Sequence, residues 1–216
     1  MIYFLYLQTE ILTKKLIEIM KKLFLSLVAF AICSTASAQN AQQKEAINNI
    51  RERYSSVLEW TKEMKEMQET NNCCTIVINR VLGGSGPQEK KIELFFSNDD
   101  SRDNGWGWLL TFARVSYNYA ARNYYEEYLF AEEKAEPIFA YRLSDEYISE
   151  MNKDVKQEER LYINDAVVYY ENKILDLEGK LLKTNKASEL NEDNSWATAT
   201  AESIKNLFDQ VVNKVY

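Results

Sequence analysis

The feature that most constrains the fold is a series of short, closely spaced segments rich in Val, Ile, Tyr and Phe. Residues typical of turns bound each segment, for example the run from Gly83 to Pro87. The gaps are too short for crossover helices, so the spacing predicts an antiparallel meander of about six or seven strands. The predicted strands are Thr75–Val81, Lys91–Ser97, Trp108–Tyr117, Arg122–Phe130, Ile138–Leu143, Arg160–Asn164 and Val167–Tyr170.

The stretch "RLYINDAVVYYENK", residues 160–173, predicts a tight β-hairpin. Asn164 and Asp165 tolerate positive φ and stand between two alternating runs. We therefore expect its aromatic side chains to form cross-strand pairs rather than the wall of a pocket. The following "ILDLEGKLL" predicts a weak additional strand pair around Glu178 and Gly179.

Two amphipathic helices flank the predicted sheet. Apolar residues recur at steps of three and four over residues 41–69, with Lys and Glu between them, and a similar pattern covers Ala197 to Asn213. The sequence therefore predicts one α+β domain, residues 39–216, in which both helices pack on one face of the meander.

The N-terminal segment has the pattern of a signal peptide over residues 20–38. A basic start at Met20-Lys21-Lys22 precedes an apolar core from Leu23 to Ile32 and the small residues Ala36-Ser37-Ala38. We expect cleavage near Ala38 and a periplasmic or secreted protein, with residues 1–19 a mis-called start or an extension. The alternative is a membrane anchor through both apolar stretches, which four lysines interrupt: Lys14, Lys15, Lys21 and Lys22.

The net charge narrows the classes of partner, and the position of the cysteines bears on disulfide formation. Removing residues 1–38 takes away four of the 26 basic and two of the 33 acidic residues, which leaves a net charge of −9. Nucleic acid and anionic lipid need a basic surface, so we expect neither as a partner. Cys73 and Cys74 are adjacent and point to opposite faces of a strand, which favours two separate thiols over a vicinal disulfide.

Several common chemistries have no residues to carry them. The chain contains no histidine, which removes His-based triads and His-ligated metals. The "GGSGP" stretch has Pro87 where a nucleophile elbow needs its second Gly, and it lacks the Lys of a phosphate-binding loop. We read it as a hairpin loop.

The "SNDDSRDNGWGW" loop is the one candidate metal site in the sequence. Clustered carboxylates at Asp99, Asp100 and Asp103 are oxygen ligands of the kind that calcium prefers. Their spacing does not match an EF-hand, because Asn104 or Arg102 falls at a critical position. The alternatives are a calcium site and a solvated turn, and no other cofactor is indicated.

Paired carboxylates are the remaining route to an enzyme, because a glycosidase needs only two. Glu126 and Glu127 are adjacent in a predicted strand, so they point to opposite faces and do not form such a pair. Glu126 shares a face with Tyr124 and Tyr128, where burial would raise its pKa. The alternative is a surface carboxylate or one that accepts hydrogen bonds from tyrosines.

Aromatic residues give the most suggestive pattern. Exposed aromatic rings bind sugars because they combine apolar area with a polar edge. Trp106 stands between two glycines at the start of a strand, where it would lie on a rim, whereas Trp108 alternates with core residues. The candidate ligand-binding residues are Trp106, Tyr117, Tyr119, Tyr124, Glu126 and Tyr128, and structural packing of the same residues is the alternative.

The signal sequence, the helix after it, "YLFAEEKAEPIFAYR" and "RLYINDAVVYYENK" together resemble a group of small exported α+β-meander proteins of Bacteroides-type bacteria. The resemblance covers the second half of the mature chain, and Ala166 stands where that pattern has Gly. It implies the fold and export, and it supplies no catalytic residues.

The function favoured by these patterns is a non-enzymatic binding or structural module of the cell envelope. It would recognise a glycan or a protein partner through an aromatic sheet face or an edge strand. One alternative is a carboxylate-dependent glycan hydrolase. Another is a protein inhibitor of a hydrolase, which would need a protruding loop at residues 82–89 or 98–107.

Overall fold

The structure is a computed structural model that describes residues 41–67, 71–99, 107–132, 136–164, 167–187 and 196–214. Contacts between residues divide the chain into Met1–Ile47 and Asn48–Tyr216. Of the first unit, residues 41–47 are described and are helical. The contacts reported below all lie within the second unit.

Eight antiparallel strands form one sheet, and each strand pairs with its neighbours in sequence. The predicted meander is therefore confirmed, with eight strands rather than six or seven. The strands are β1 (Cys73–Leu82), β2 (Gly86–Asn98), β3 (Trp108–Tyr119), β4 (Arg122–Phe130), β5 (Pro137–Ile148), β6 (Lys153–Asn164), β7 (Val167–Leu175) and β8 (Leu181–Ala187).

The eighth strand arises where the sequence indicated only a weak strand pair. β7 continues to Leu175, and the Asp176 side chain then accepts a hydrogen bond from the Lys180 backbone N–H, 2.7 Å away. Gly179 has a φ of 88°, a conformation that glycine adopts without strain. This turn returns the chain along β7 as β8.

Two hairpins bear on the sequence predictions. β6 and β7 pair as far as Asn164 with Val167, so "RLYINDAVVYYENK" is a hairpin, as predicted. β1 and β2 pair as far as Leu82 with Gly86, which leaves residues 83–85 as the turn. Leu82 and residues 86–89 therefore belong to the strand ladder and only residues 83–85 form a loop, whereas most of the other loop proposed for an inhibitor, 98–107, lies outside the described residues.

Helix α1 is described over residues 41–66, and its part within the second unit, from Asn48 onward, packs on one face of the sheet, which we call the α1 face. A row of large side chains crosses this face in register from β2 to β6: Phe95, Phe112, Leu129, Phe139 and Tyr162. The Tyr54 ring lies 4.6 Å from the Phe139 ring, and Trp60 contacts Phe95 edge-on at 6.3 Å.

Helix α2 (Trp196–Phe208), followed by a π-helical turn at Asp209–Asn213, packs on the opposite face, the α2 face. Phe208 meets Phe96 with ring centroids 5.6 Å apart. Asn213 fixes the end of the helix to β3, because its side chain accepts from the Trp108 N–H at 3.1 Å and donates to the Trp108 carbonyl at 3.2 Å.

The prediction that both helices pack on one face is therefore wrong. Phe95 and Phe96 are adjacent, and so are Leu129 and Phe130, and all four are buried. Adjacent residues of a strand point to opposite faces, so both faces of the central strands are apolar and each needs a cover. The result is a three-layer arrangement with the sheet between the helices.

No helix among the described residues combines the length and the apolar character needed to cross a membrane.

We predict that Phe208→Ala lowers the free energy of unfolding by about 3–5 kcal/mol, because Phe208 is fully buried against the sheet. Val211→Ala is the control, because Val211 is exposed in the next turn and its loss costs about 0.5 kcal/mol. Urea unfolding followed by circular dichroism measures both. Equal, small effects would contradict the packing of α2 on this face.

Candidate ligand-binding site

Two adjacent glutamates in β4 define the chemistry of both faces. Glu126 and Glu127 are 3% and 4% exposed, and their register places Glu126 on the α2 face and Glu127 on the α1 face. The predicted placement of the two side chains on opposite faces of the sheet is therefore confirmed. A buried carboxylate is costly unless hydrogen bonds compensate for its lost hydration, so the partners of each one are decisive.

Glu126 accepts hydrogen bonds from two phenols. Tyr128 donates to Oε2 at 2.7 Å and Tyr117 donates to Oε1 at 3.1 Å. Burial, and then the charge of Glu126, raise the pKa of both phenols above the ordinary value of 10, so they remain donors at neutral pH. Of the two interpretations of Glu126, the tyrosine-bonded carboxylate is the one that the structure contains.

A second buried carboxylate, Glu159, lies on the same face two strands away. Its Oε2 accepts hydrogen bonds from Arg142 at 2.6 Å, and its Oε1 accepts one from the Tyr170 phenol at 2.5 Å. Burial raises the pKa of Tyr170, and the hydrogen bond to Glu159 raises this pKa further. The Arg142 guanidinium also lies 3.8 Å from the centre of the Trp196 ring, so the first described residue of α2 covers the ion pair.

The strand register aligns these groups. Glu126, Arg142, Glu159, Asn172 and Asn185 are successive partners across β4 to β8, and we call them the polar row. Sequence reasoning identified only Glu126 among them. The others were missed because no single strand carries more than one, so the pattern exists only once the register is known.

A cavity of about 430 Å³ opens beside the polar row, and we call it the β5–β8 cavity. Its lining includes Arg142, Gln157, Glu159, Tyr170, Asn172 and Asn185. The Oδ1 atom of Asn172 is buried and has no hydrogen-bond partner within the described part of the chain. An unsatisfied buried acceptor costs about 1–3 kcal/mol, so this amide destabilises the fold locally.

The predicted aromatic residues lie beside the other end of the polar row. The Tyr117 and Tyr124 rings stack with centroids 4.8 Å apart and planes 7° from parallel. The structure thus brings Tyr117, Tyr124, Glu126 and Tyr128 together on the α2 face. Tyr119 is half-exposed at the end of β3, and Trp106 lies outside the described residues.

The predicted calcium ligands are only partly described. Asp99 is buried, and its backbone N–H donates to the Gly107 carbonyl at 2.9 Å, whereas Asp100 and Asp103 lie outside the described residues. Within the described ranges, no group of three or more acidic or cysteine side chains is arranged to hold a metal ion.

The α1 face has its own carboxylate network. Glu127 accepts hydrogen bonds from Tyr54 of α1, from Tyr125 and from Arg114 at 3.1 Å. Arg114 also donates to the Thr61 hydroxyl at 3.0 Å.

Two further cavities, of about 400 and 550 Å³, share Glu89 and Asn118 in their linings.

The buried carboxylates of the α2 face already have partners. Glu159 is ion-paired with Arg142. Both oxygens of Glu126 accept phenol hydrogen bonds. The amides of Asn172 and Asn185 stand beside these groups in the polar row, and an amide side chain can both donate to and accept from a polar ligand.

The fold and the site together define an α+β meander protein with a row of polar side chains across one face of its sheet. No protein-family model matches the chain, and no curated protein or solved structure matches it either.

We predict that Glu159→Gln lowers the free energy of unfolding by about 2–4 kcal/mol, because it leaves Arg142 largely buried without its counter-charge. Glu158→Gln is the matched control on the opposite face of the same strand. Its partners Arg160 and Lys173 are more exposed, so we expect a loss of about 0.5 kcal/mol. Urea unfolding at pH 7 compares the two, and a Glu159→Gln effect no larger than the control would contradict a buried ion pair.

Proposed function

We propose that the protein is an exported, non-enzymatic binding module of the cell envelope that recognises a glycan through its α2 face. The observation that carries this proposal is the parallel stack of Tyr117 and Tyr124 beside the buried Glu126. Export rests on the signal-peptide pattern of residues 20–38.

The stacked rings have the properties of a sugar-binding platform. Both side chains are partly buried, and both phenols are fixed, because Tyr117 donates to Glu126 at 3.1 Å and Tyr124 donates to Glu146 at 3.3 Å. Rings held in place before binding lose little conformational entropy when a ligand stacks on them. Glu146 and Lys90, whose amine lies over the Tyr117 ring 5.5 Å from its centre, supply polar contacts for hydroxyl groups.

A protein partner is the second candidate, and the two edges of the sheet favour β1 for it. Val77 and Val81 of β1 are 53% and 81% exposed, and an exposed apolar edge accepts an added strand. β8, at the other edge, carries Lys183 and Lys186, and charged residues of this kind discourage strand addition.

We predict that the purified protein is retained on at least one bacterial envelope or plant polysaccharide. Tyr124→Ala should raise the dissociation constant about tenfold, because it removes one ring of the platform. Affinity electrophoresis with a panel of polysaccharides, followed by calorimetry on the best one, measures this.

Tyr147→Ala is the matched control for Tyr124→Ala, because Tyr147 is a half-exposed tyrosine at the far end of β5 that bonds to Asn152. Binding to no polysaccharide, or an equal loss in both variants, would contradict the glycan proposal. Release of reducing sugar that Glu126→Gln abolishes would favour the hydrolase instead.

A further inference from the structure

We infer that the β5–β8 cavity is a second binding site, for a single neutral sugar or another small polyhydroxyl compound held by the amides of Asn172 and Asn185. The choice of a sugar rests on the proposed function, whereas the residues are separate from the tyrosine platform. With a volume of about 430 Å³, the cavity lies within the range of small-molecule sites.

The charges in the cavity are already paired with each other. Oε2 of Glu159 lies 2.6 Å from Nε and Nη2 of Arg142, its Oε1 accepts from the phenol of Tyr170, and Arg142 is covered by Trp196. Lys186 also lines the cavity, and its amine is directed to the Glu171 carboxylate, 3.6 Å away. A charged ligand would have to break these pairs, so the internal pairing favours a neutral one.

The amides are the groups with unused hydrogen-bonding capacity. Gln157, Asn172 and Asn185 come from three different strands and line the same cavity. Each amide offers both a donor and an acceptor, as each sugar hydroxyl does. Oδ1 of Asn172 is buried and lacks a partner within the described residues, and the Asn172 side chain lines the cavity.

The arrangement of the row gives the site its rigidity. Asn172 is the register partner of Glu159 and of Asn185, so the amides are spaced by the sheet itself. Adjacent strands lie about 4.8 Å apart, which suits neighbouring hydroxyls on one sugar ring that each meet a different strand. A flexible loop would not hold this spacing.

The test is an NMR titration of the purified protein with neutral monosaccharides, uronic acids and amino sugars, observing the side-chain amide signals. We expect a neutral monosaccharide to shift the Asn172 and Asn185 signals saturably. Asn172→Ala should weaken this binding at least tenfold. Asn185→Ala, at an exposed position where folding is not at risk, should weaken it in the same direction.

Asn79→Ala, an exposed asparagine of β1, is the control and should leave binding unchanged. Tyr124→Ala should also leave monosaccharide binding unchanged while it weakens polysaccharide binding, which separates this inference from the proposed function. Preferential binding of a charged sugar, an absence of shifts at the amides, or full binding by both asparagine variants would each overturn the inference.

Discussion

The structure depends on how β4 buries two adjacent carboxylates on opposite faces. Glu126 and Glu127 would each destabilise the fold if they were buried without partners. Tyrosine hydroxyls from the strands and from α1 satisfy them, together with Arg114 on the α1 face. The α1 face is tied to its helix through Glu127, whereas Glu126 begins the polar row on the α2 face.

The two faces consequently differ in what they leave open. Aromatic residues fill the α1 face under its helix, with the Tyr54 ring packed against Phe112 and Phe139. On the α2 face, small residues such as Ala113 and Ala140 are fully buried in the core that includes Ala201 of α2. At the first described residue of α2, that core gives way to the polar row. The candidate site lies at this boundary between the core and the open part of the sheet.

Much of the fold was predictable from local pattern, because strand spacing alone excludes crossover helices. The eighth strand was indicated only weakly, since β8 is almost entirely exposed and lacks the apolar alternation that marks a half-buried strand. Adjacent apolar residues such as Phe95 and Phe96 make both faces of the sheet apolar, which indicates a helix on each face. The alternation within a single strand does not show how many faces are covered by helices.

The candidate site also has a part that the sequence indicated and a part that it did not. Tyr117, Tyr124, Glu126 and Tyr128 follow from alternation within two neighbouring strands, so the sequence indicated them. The ion pair of Arg142 and Glu159 and the amides of Asn172 and Asn185 depend on the register of β5 to β8. Register is set by turn geometry and by packing between strands, and neither can be predicted from the residues of a single strand.

Buried tyrosine hydroxyls satisfy the buried carboxylates, and an alkaline spectrophotometric titration of the tyrosines measures whether they do so. Burial raises the pKa of Tyr54, Tyr117, Tyr125, Tyr128 and Tyr170 above 10. A raised pKa in the folded state contributes stability below pH 10 that is lost as the pH rises further. We expect these five phenols to ionise at a higher pH than in the urea-unfolded protein, and the free energy of unfolding to fall from about pH 10 upward. Ionisation of all tyrosines together near pH 10, with the fold intact, would contradict it.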